Sequence, residues 1–230
     1  MMLRLACEAF KTHFVPHSIM LEQLVKFFIV FFVVVEPLSI VPVFASLTTG
    51  ASDAYRRRMA IKAVTIAACI VVAFALVGAP FLGVMGISIE AFRIFGGLLL
   101  FLIALEMVFA RESGTRTTTD ERVESRRRAD ISVFPLAFPL ISGPGALVTV
   151  LLWFGPVSMR DAPLMFAGLV AAAAAVLAIT LVMMFLASPI MRVLGVTGGN
   201  VANRLFGVVL GALAVQFVID GVRVSFGSSL

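Results

Sequence analysis

A lone carboxylate stands inside an apolar stretch of this chain: Glu36 follows Phe31-Phe32-Val33-Val34-Val35 and directly precedes Pro37. A charge at membrane depth costs about 2.5–3.5 kcal/mol on insertion scales unless it is paired, watered or protonated. A carboxyl group there could couple to a proton or a cation. A proline inside a membrane helix removes a backbone donor and clashes with the preceding turn, so the freed carbonyls need another partner: a second helix, a water or a bound solute. Ser39 and Pro42 complete a first motif, Pro37-Leu38 to Pro42, and Pro139-Leu140 to Pro144 repeats it with Ser142, Gly143 and Gly145 alongside. Paired breaks in the two halves of a membrane chain point to a solute site. Each of these residues also has a purely structural use. Glu36 could cap or pair within the broken helix, the serines could satisfy freed carbonyls, and the glycines could allow close helix approach.

Such residues need elements long enough to hold them at depth. A hydrocarbon core of about 30 Å takes about 20 apolar residues, each rising about 1.5 Å. Six runs of that kind are present, at residues 24–47, 63–82, 91–110, 131–154, 163–186 and 201–222. A chain with 61% hydrophobic residues, 13% charged residues and a mean hydropathy of +1.10 is no ordinary water-soluble domain. Membrane β-strands would alternate polar and apolar residues over about ten positions, and these runs do not alternate. The predicted fold class is all-α integral membrane, with six transmembrane helices of which the first and fourth are broken by proline.

Lys and Arg orient such a bundle, because positive loops stay in the cytoplasm. Arg56, Arg57, Arg58, Lys62, the six arginines between positions 111 and 128, Arg192 and Arg204 place twelve of the eighteen basic residues on one side. Arg4, Lys11, Lys26, Arg93, Arg160 and Arg223 fall on the other, so both termini are predicted to be periplasmic or extracellular. The net charge of +5 reads as this bias and as attraction to membrane lipids, with no nucleic-acid partner implied. Residues 111–130 mix five acids with six arginines and read as a charged cytoplasmic linker between repeats at 20–110 and 131–230. Residues 1–19 contain Glu8, Lys11, His13, Pro16 and His17 and no apolar core of a cleaved signal. They read as an N-terminal extension, with Met20 resembling an ordinary start.

Further echoes accompany the proline motifs: Gly86-Ile87-Ser88 with Gly195-Val196-Thr197, and Arg93-Ile94-Phe95-Gly96 with Arg204-Leu205-Phe206-Gly207. The offsets run 102 for the prolines as matched, then 109 and 111. Each unit holds three spans, an odd number, so the second copy must enter from the opposite side and the repeats must be inverted.

Outside the breaks, Arg93 and Arg204 open spans three and six, where snorkelling explains them and a partnership with an acid is a second use. Asn203, Gln216 and Asp220 in span six could line a pathway. An enzyme is excluded on inventory. The only histidines, His13 and His17, precede span one; there is no Walker-type loop; and Cys7 and Cys69 form no metal or redox pair, so neither cofactor nor metal is expected.

Four segments in order carry a family resemblance: Glu36-Pro37-Leu38-Ser39-Ile40-Val41-Pro42-Val43-Phe44, Phe92 through Leu100, Pro135 through Ala146, and Val215 through Gly221. Together they resemble the MarC family of bacterial inner-membrane proteins, over nearly everything from Met20 to Val222. The resemblance implies a six-span inner-membrane protein in a wider set of small exporters similar to the lysine-exporter type; it implies no substrate. Many relatives have Asp-Pro-x-Gly where this chain has Glu36-Pro37-Leu38-Ser39, which moves the carboxylate out by a methylene and replaces a glycine. The expected function is secondary transport or export of an unidentified small solute, with a structural or assembly role, or a passive channel, as alternatives. A homo-oligomer is compatible with all three.

Overall fold

The computed structural model describes residues 17–109, 130–157, 159, 161–225 and 227, without the side chains of 17, 18, 194–197, 199, 200 and 202. The N-terminal extension to residue 16 and the linker up to residue 129 lie outside the described residues. Helices α1 (His17–Val35) and α2 (Pro37–Leu47) are followed by α3 (Asp53–Val84) and α4 (Ile89–Phe109). The second half holds α5 (Ser132–Ile141), α6 (Pro144–Phe154), α7 (Pro163–Phe185) and α8 (Ala187–Ser225). No strand occurs among the described residues. Among the described residues five segments are long and apolar enough to cross a membrane, α1 and α2 counting as one, and α5 with α6, bent by 56°, brings the number to six if that pair is one span. An all-helical chain of five to six spans, interrupted at Glu36 and again between α5 and α6, agrees with the class read from the sequence.

Local chemistry accounts for the helix starts. Ser52 precedes α3 and its hydroxyl accepts from the Tyr55 N–H at 3.3 Å, satisfying one of the orphan donors of the first turn. Ser88 does the same for the Ala91 N–H at 3.1 Å, after a turn in which Gly86 takes φ +69. Prolines open α2, α6 and α7, where a missing N–H has no intrahelical partner to lose. Proline is equally tolerated in the first turn of α8, where Pro189 is the third residue, and that helix runs 39 residues. Its first sixteen residues therefore precede the apolar span at Asn203–Ser225. Gly195-Val196-Thr197 thus lies within a helix, whereas Gly86-Ile87-Ser88 forms a turn.

Packing ties the two halves together. Among the described residues, α1 and α2 lie mainly on α7 and α8, α5 and α6 lie on α3, α6 also meets α4, and the most extensive contact is α4 on α8. Helices within residues 17–109 make few contacts with one another. The α4–α8 pair is antiparallel and glycine-lined. A Cβ on Gly97 would stand 2.8 Å from the Ala214 carbonyl oxygen, one on Gly207 2.8 Å from Met107 Cβ, and one on Gly221 3.1 Å from the Glu90 carbonyl oxygen. Small residues let helix backbones approach in this way where lipid offers no hydrophobic driving force. An aromatic cluster locks α1 to α6 and α7: the Phe27 ring lies 5.7 Å from Trp153 and 5.8 Å from Phe154, and Phe154 lies 5.1 Å from Phe166. The outward faces are apolar, with Val72, Leu76, Phe95, Leu102, Leu205 and Val208 exposed, as a lipid-facing surface requires.

Candidate functional site

Span one breaks at Glu36. Pro37 has no N–H to offer the carbonyl four residues back, so the α1 ladder ends, with the Glu36 N–H donating to the Phe32 carbonyl at 3.0 Å. The new helix starts beneath the Glu36 carbonyl, which accepts from the Ser39 N–H at 3.0 Å. Between these two bonds Glu36 adopts φ 52, ψ 62 and is the only non-glycine residue with positive φ among the described residues. Left-handed backbone costs an L-residue with a β-carbon about 1–2 kcal/mol. The same residue is 2% exposed. A strained backbone and a buried carboxylate coincide in one residue.

Pro42 lies inside α2 and deprives the Leu38 carbonyl of its donor. Ser39 ties the half-helix to span six, its hydroxyl donating to Asn203 Oδ1 at 2.6 Å. This bond answers one expectation in an unexpected way: Ser39 and Asn203, separated by 164 residues, meet each other.

Span four breaks differently. Phe134 (φ −127, ψ 126) and Phe138 (φ −131, ψ 132) are extended ahead of Pro135 and Pro139, the conformation favoured before proline. The chain is therefore irregular through α5. At the end of this stretch the Ala137 carbonyl accepts from the Ser142 N–H at 2.9 Å and from the Ser142 hydroxyl at 2.7 Å. Ser142 thus serves its own backbone. A Cβ on Gly143 would sit 2.3 Å from the Pro139 carbonyl oxygen, so no other residue fits this fold of the chain. Pro144 then starts α6.

The two breaks are neighbours. A Cβ on Gly145, one residue after Pro144, would lie 3.1 Å from Val34, two residues before Glu36, and 2.8 Å from Leu100 of α4. Each break is followed by an 11-residue half-helix, about 16 Å long, which is close to half of an approximately 30 Å core.

The remaining candidates do not join them. Gln216 Nε2 donates to Asp220 Oδ1 at 2.8 Å, one turn apart on an exposed face of α8. Arg93 and Arg204 lie toward opposite ends of the α4–α8 pair and form no ion pair among the described residues. Nor is there, among those residues, any group of three His, Cys, Asp or Glu side chains able to hold a metal. The sequence reading missed the irregular start of span four, although Phe134-Pro135 and Phe138-Pro139, two pre-proline residues four apart, signal it.

Five apolar spans, or six with the bent α5–α6 pair counted as one, define a polytopic α-helical integral membrane protein. The chain belongs to the MarC family of integral membrane proteins, which matches residues 21–226. It is 35% identical over 199 residues to the UPF0056 membrane protein YhcE of Escherichia coli (strain K12), covering 86% of this chain and 91% of that one. To the UPF0056 membrane protein YvbG of Bacillus subtilis (strain 168) it is 35% identical over 209 residues, 90% of this chain and 97% of the relative. An archaeal relative, a UPF0056 membrane protein of Archaeoglobus fulgidus, is 34% identical over 85% of this chain and 90% of its own. No solved structure matches.

Proposed function

We propose that this protein is a secondary transporter or exporter of a small solute, built from two inverted three-span repeats in the bacterial inner membrane. The observation that carries the reading is Glu36: a buried carboxylate held in left-handed backbone at the start of a half-helix. Strain of this kind, about 1–3 kcal/mol, is held in place by the surrounding structure and clusters at functional sites. The half-helices α2 and α6 support the repeat, since both begin on proline and have equal length. Their equivalence pairs Pro37 with Pro144, an offset of 107 that lies closer than 102 does to the 111 separating Arg93-Ile94-Phe95-Gly96 from Arg204-Leu205-Phe206-Gly207. Pairing Pro37 with Pro139 instead would match a helix start to an irregular segment.

The helix N-termini beside the breaks favour an anionic group, and a carboxylate next to freed carbonyls favours a cationic one. A solute bearing both charges, such as an amino acid, suits that combination. The reading is non-enzymatic and invokes no cofactor or metal. Comparing metabolites accumulated with and without the protein, followed by flux of the differing solutes into proteoliposomes, tests it. Concentrative flux is the expected result; conductance without coupling would make it a channel, and no flux of any differing solute would leave a structural role.

Orientation is part of the proposal. Arg56, Arg57, Lys62, Asp130 and Ser188 gather at one end of the bundle, and that end is assigned to the cytoplasm. In a variant lacking Cys7 and Cys69, Ser228→Cys should be labelled from outside intact cells and Ser113→Cys only after permeabilisation. The reverse pattern would overturn the orientation.

A further inference from the structure

Two clefts meet at the end of the bundle where α3 begins. One, about 400 Å³, lies between α2, α3, α7 and α8, with Phe44 and Phe185 as its apolar walls and Asp53, Arg56, Arg57 and Ser188 around it. The other, about 740 Å³, runs along α3 itself beside Asp53, Ala54, Arg57, Arg58, Ile61 and Lys62. Asp53 and Arg57 border both.

The charge here is unevenly spent. Lys62 is paired with Asp130, whereas Arg56, Arg57 and Arg58 have no ion pair among the described residues. Arg57 instead stacks over Phe185, its guanidinium carbon 5.9 Å from the ring centroid. A cation held over an aromatic face keeps its in-plane N–H donors available. The first turn of α3 adds the positive end of a helix dipole. A loop charge that only orients the chain needs neither a cleft nor a guanidinium held by an aromatic ring.

What lies beneath decides the kind of ligand. Ile61, Cys69 and Val72 follow the arginines along α3 and are exposed on its lipid-facing side. Between them the Thr65 hydroxyl turns back to the Ile61 carbonyl at 2.9 Å, leaving that strip apolar. A cationic head cleft therefore stands directly above an outward apolar track. Free phosphate would use only the first of these features.

We propose that this end of α3 binds an anionic phospholipid, with Arg56, Arg57 and Arg58 around the phosphate and an acyl chain along Ile61, Cys69 and Val72. Guanidinium forks match phosphate oxygens in geometry and charge, and basic clefts between membrane helices on the cytoplasmic side suit anionic headgroups. Asp53 opposes a second phosphate charge in the same space but can accept from a headgroup hydroxyl, which favours phosphatidylglycerol.

The test titrates the purified full chain in detergent with phosphatidylglycerol and phosphatidylcholine and counts bound lipid by native mass spectrometry. Phosphatidylglycerol should bind in preference. Arg57→Gln with Arg58→Gln should weaken it about thirty-fold, or about 2 kcal/mol at 1.4 kcal/mol per decade, leaving phosphatidylcholine unchanged. Arg57→Lys with Arg58→Lys keeps the charge should the neutral variant fail to fold, and loses several-fold through the missing forks. Arg204→Gln, an exposed arginine outside both clefts, should bind as wild type. The proposal fails if Arg204→Gln weakens binding as much as the double variant, if neither double variant weakens it, or if millimolar inorganic phosphate displaces the lipid.

Discussion

Span one breaks at Glu36 and span four at Gly143, and each break leads into an 11-residue half-helix with a proline in its first position. Around that shared plan the residues differ in kind. Gly143 stands in extended backbone (φ −68, ψ 175) because the Pro139 carbonyl leaves no room for a β-carbon. Glu36 is in the left-handed region, which a glycine would occupy without penalty, and it carries a carboxyl group into the interior. Break four has the residue its geometry demands; break one has a residue its geometry resists. The difference separates a glycine required by packing from a carboxylate held in strained backbone, and on the proposed function the chemistry belongs to span one.

The largest stability effect should come from break four. Gly143→Ala forces a β-carbon onto a backbone oxygen, and a loss of about 3 kcal/mol is expected, read as a lowered thermal midpoint in detergent. Gly83→Ala is the control: nothing lies within 4 Å of its added carbon, and it should gain up to about 1 kcal/mol from helix propensity. Equal behaviour of the two would remove the packing account of Gly143.

The serines sharpen the comparison at a smaller scale. A double-mutant cycle of Ser39→Ala and Asn203→Ala should give a coupling of about 0.6–1 kcal/mol, the range for hydrogen bonds between membrane helices. Ser142→Ala should lose less than about 0.5 kcal/mol, because the Ala137 carbonyl keeps its bond from the Ser142 N–H. A coupling near zero would mean that Ser39 does not fasten the half-helix to span six.

The smallest effect is electrostatic and lies at the foot of span four. Hydrogen bonds from Lys62 and from the Ser132 side chain and backbone hold the Asp130 carboxyl at about 2, below its usual 3.8. With a depressed folded-state value, this group's contribution is fully present above about pH 4 and is lost as pH falls through 2. Both partners are nearly half exposed, so the amount is below about 1 kcal/mol, and Asp130→Asn should flatten the thermal midpoint between pH 4 and 2.

Much of this architecture was legible in the residues. Apolar run length is set by bilayer thickness, so an all-helical bundle of five to six spans could be read directly, and prolines marked the breaks at Glu36 and between α5 and α6. What a proline does at its position was not legible. Pro37 and Pro144 start helices, Pro42 sits within one and Pro139 ends an irregular turn, because packing around each decides whether its missing N–H matters. The backbone of Glu36 was hidden as well, since nothing in a glutamate marks a left-handed residue. The bond from Ser39 to Asn203 needs the assembled bundle to exist at all.

Charge-neutral replacement of Glu36 tests the central claim most directly. Glu36→Gln keeps the shape of the side chain and removes its charge, so coupled flux of the solute identified for the wild type should be abolished while membrane insertion and thermal midpoint stay nearly unchanged. A Gln variant that transports at the wild-type rate, or one that loses its fold, would instead make the carboxylate a structural part of the broken helix.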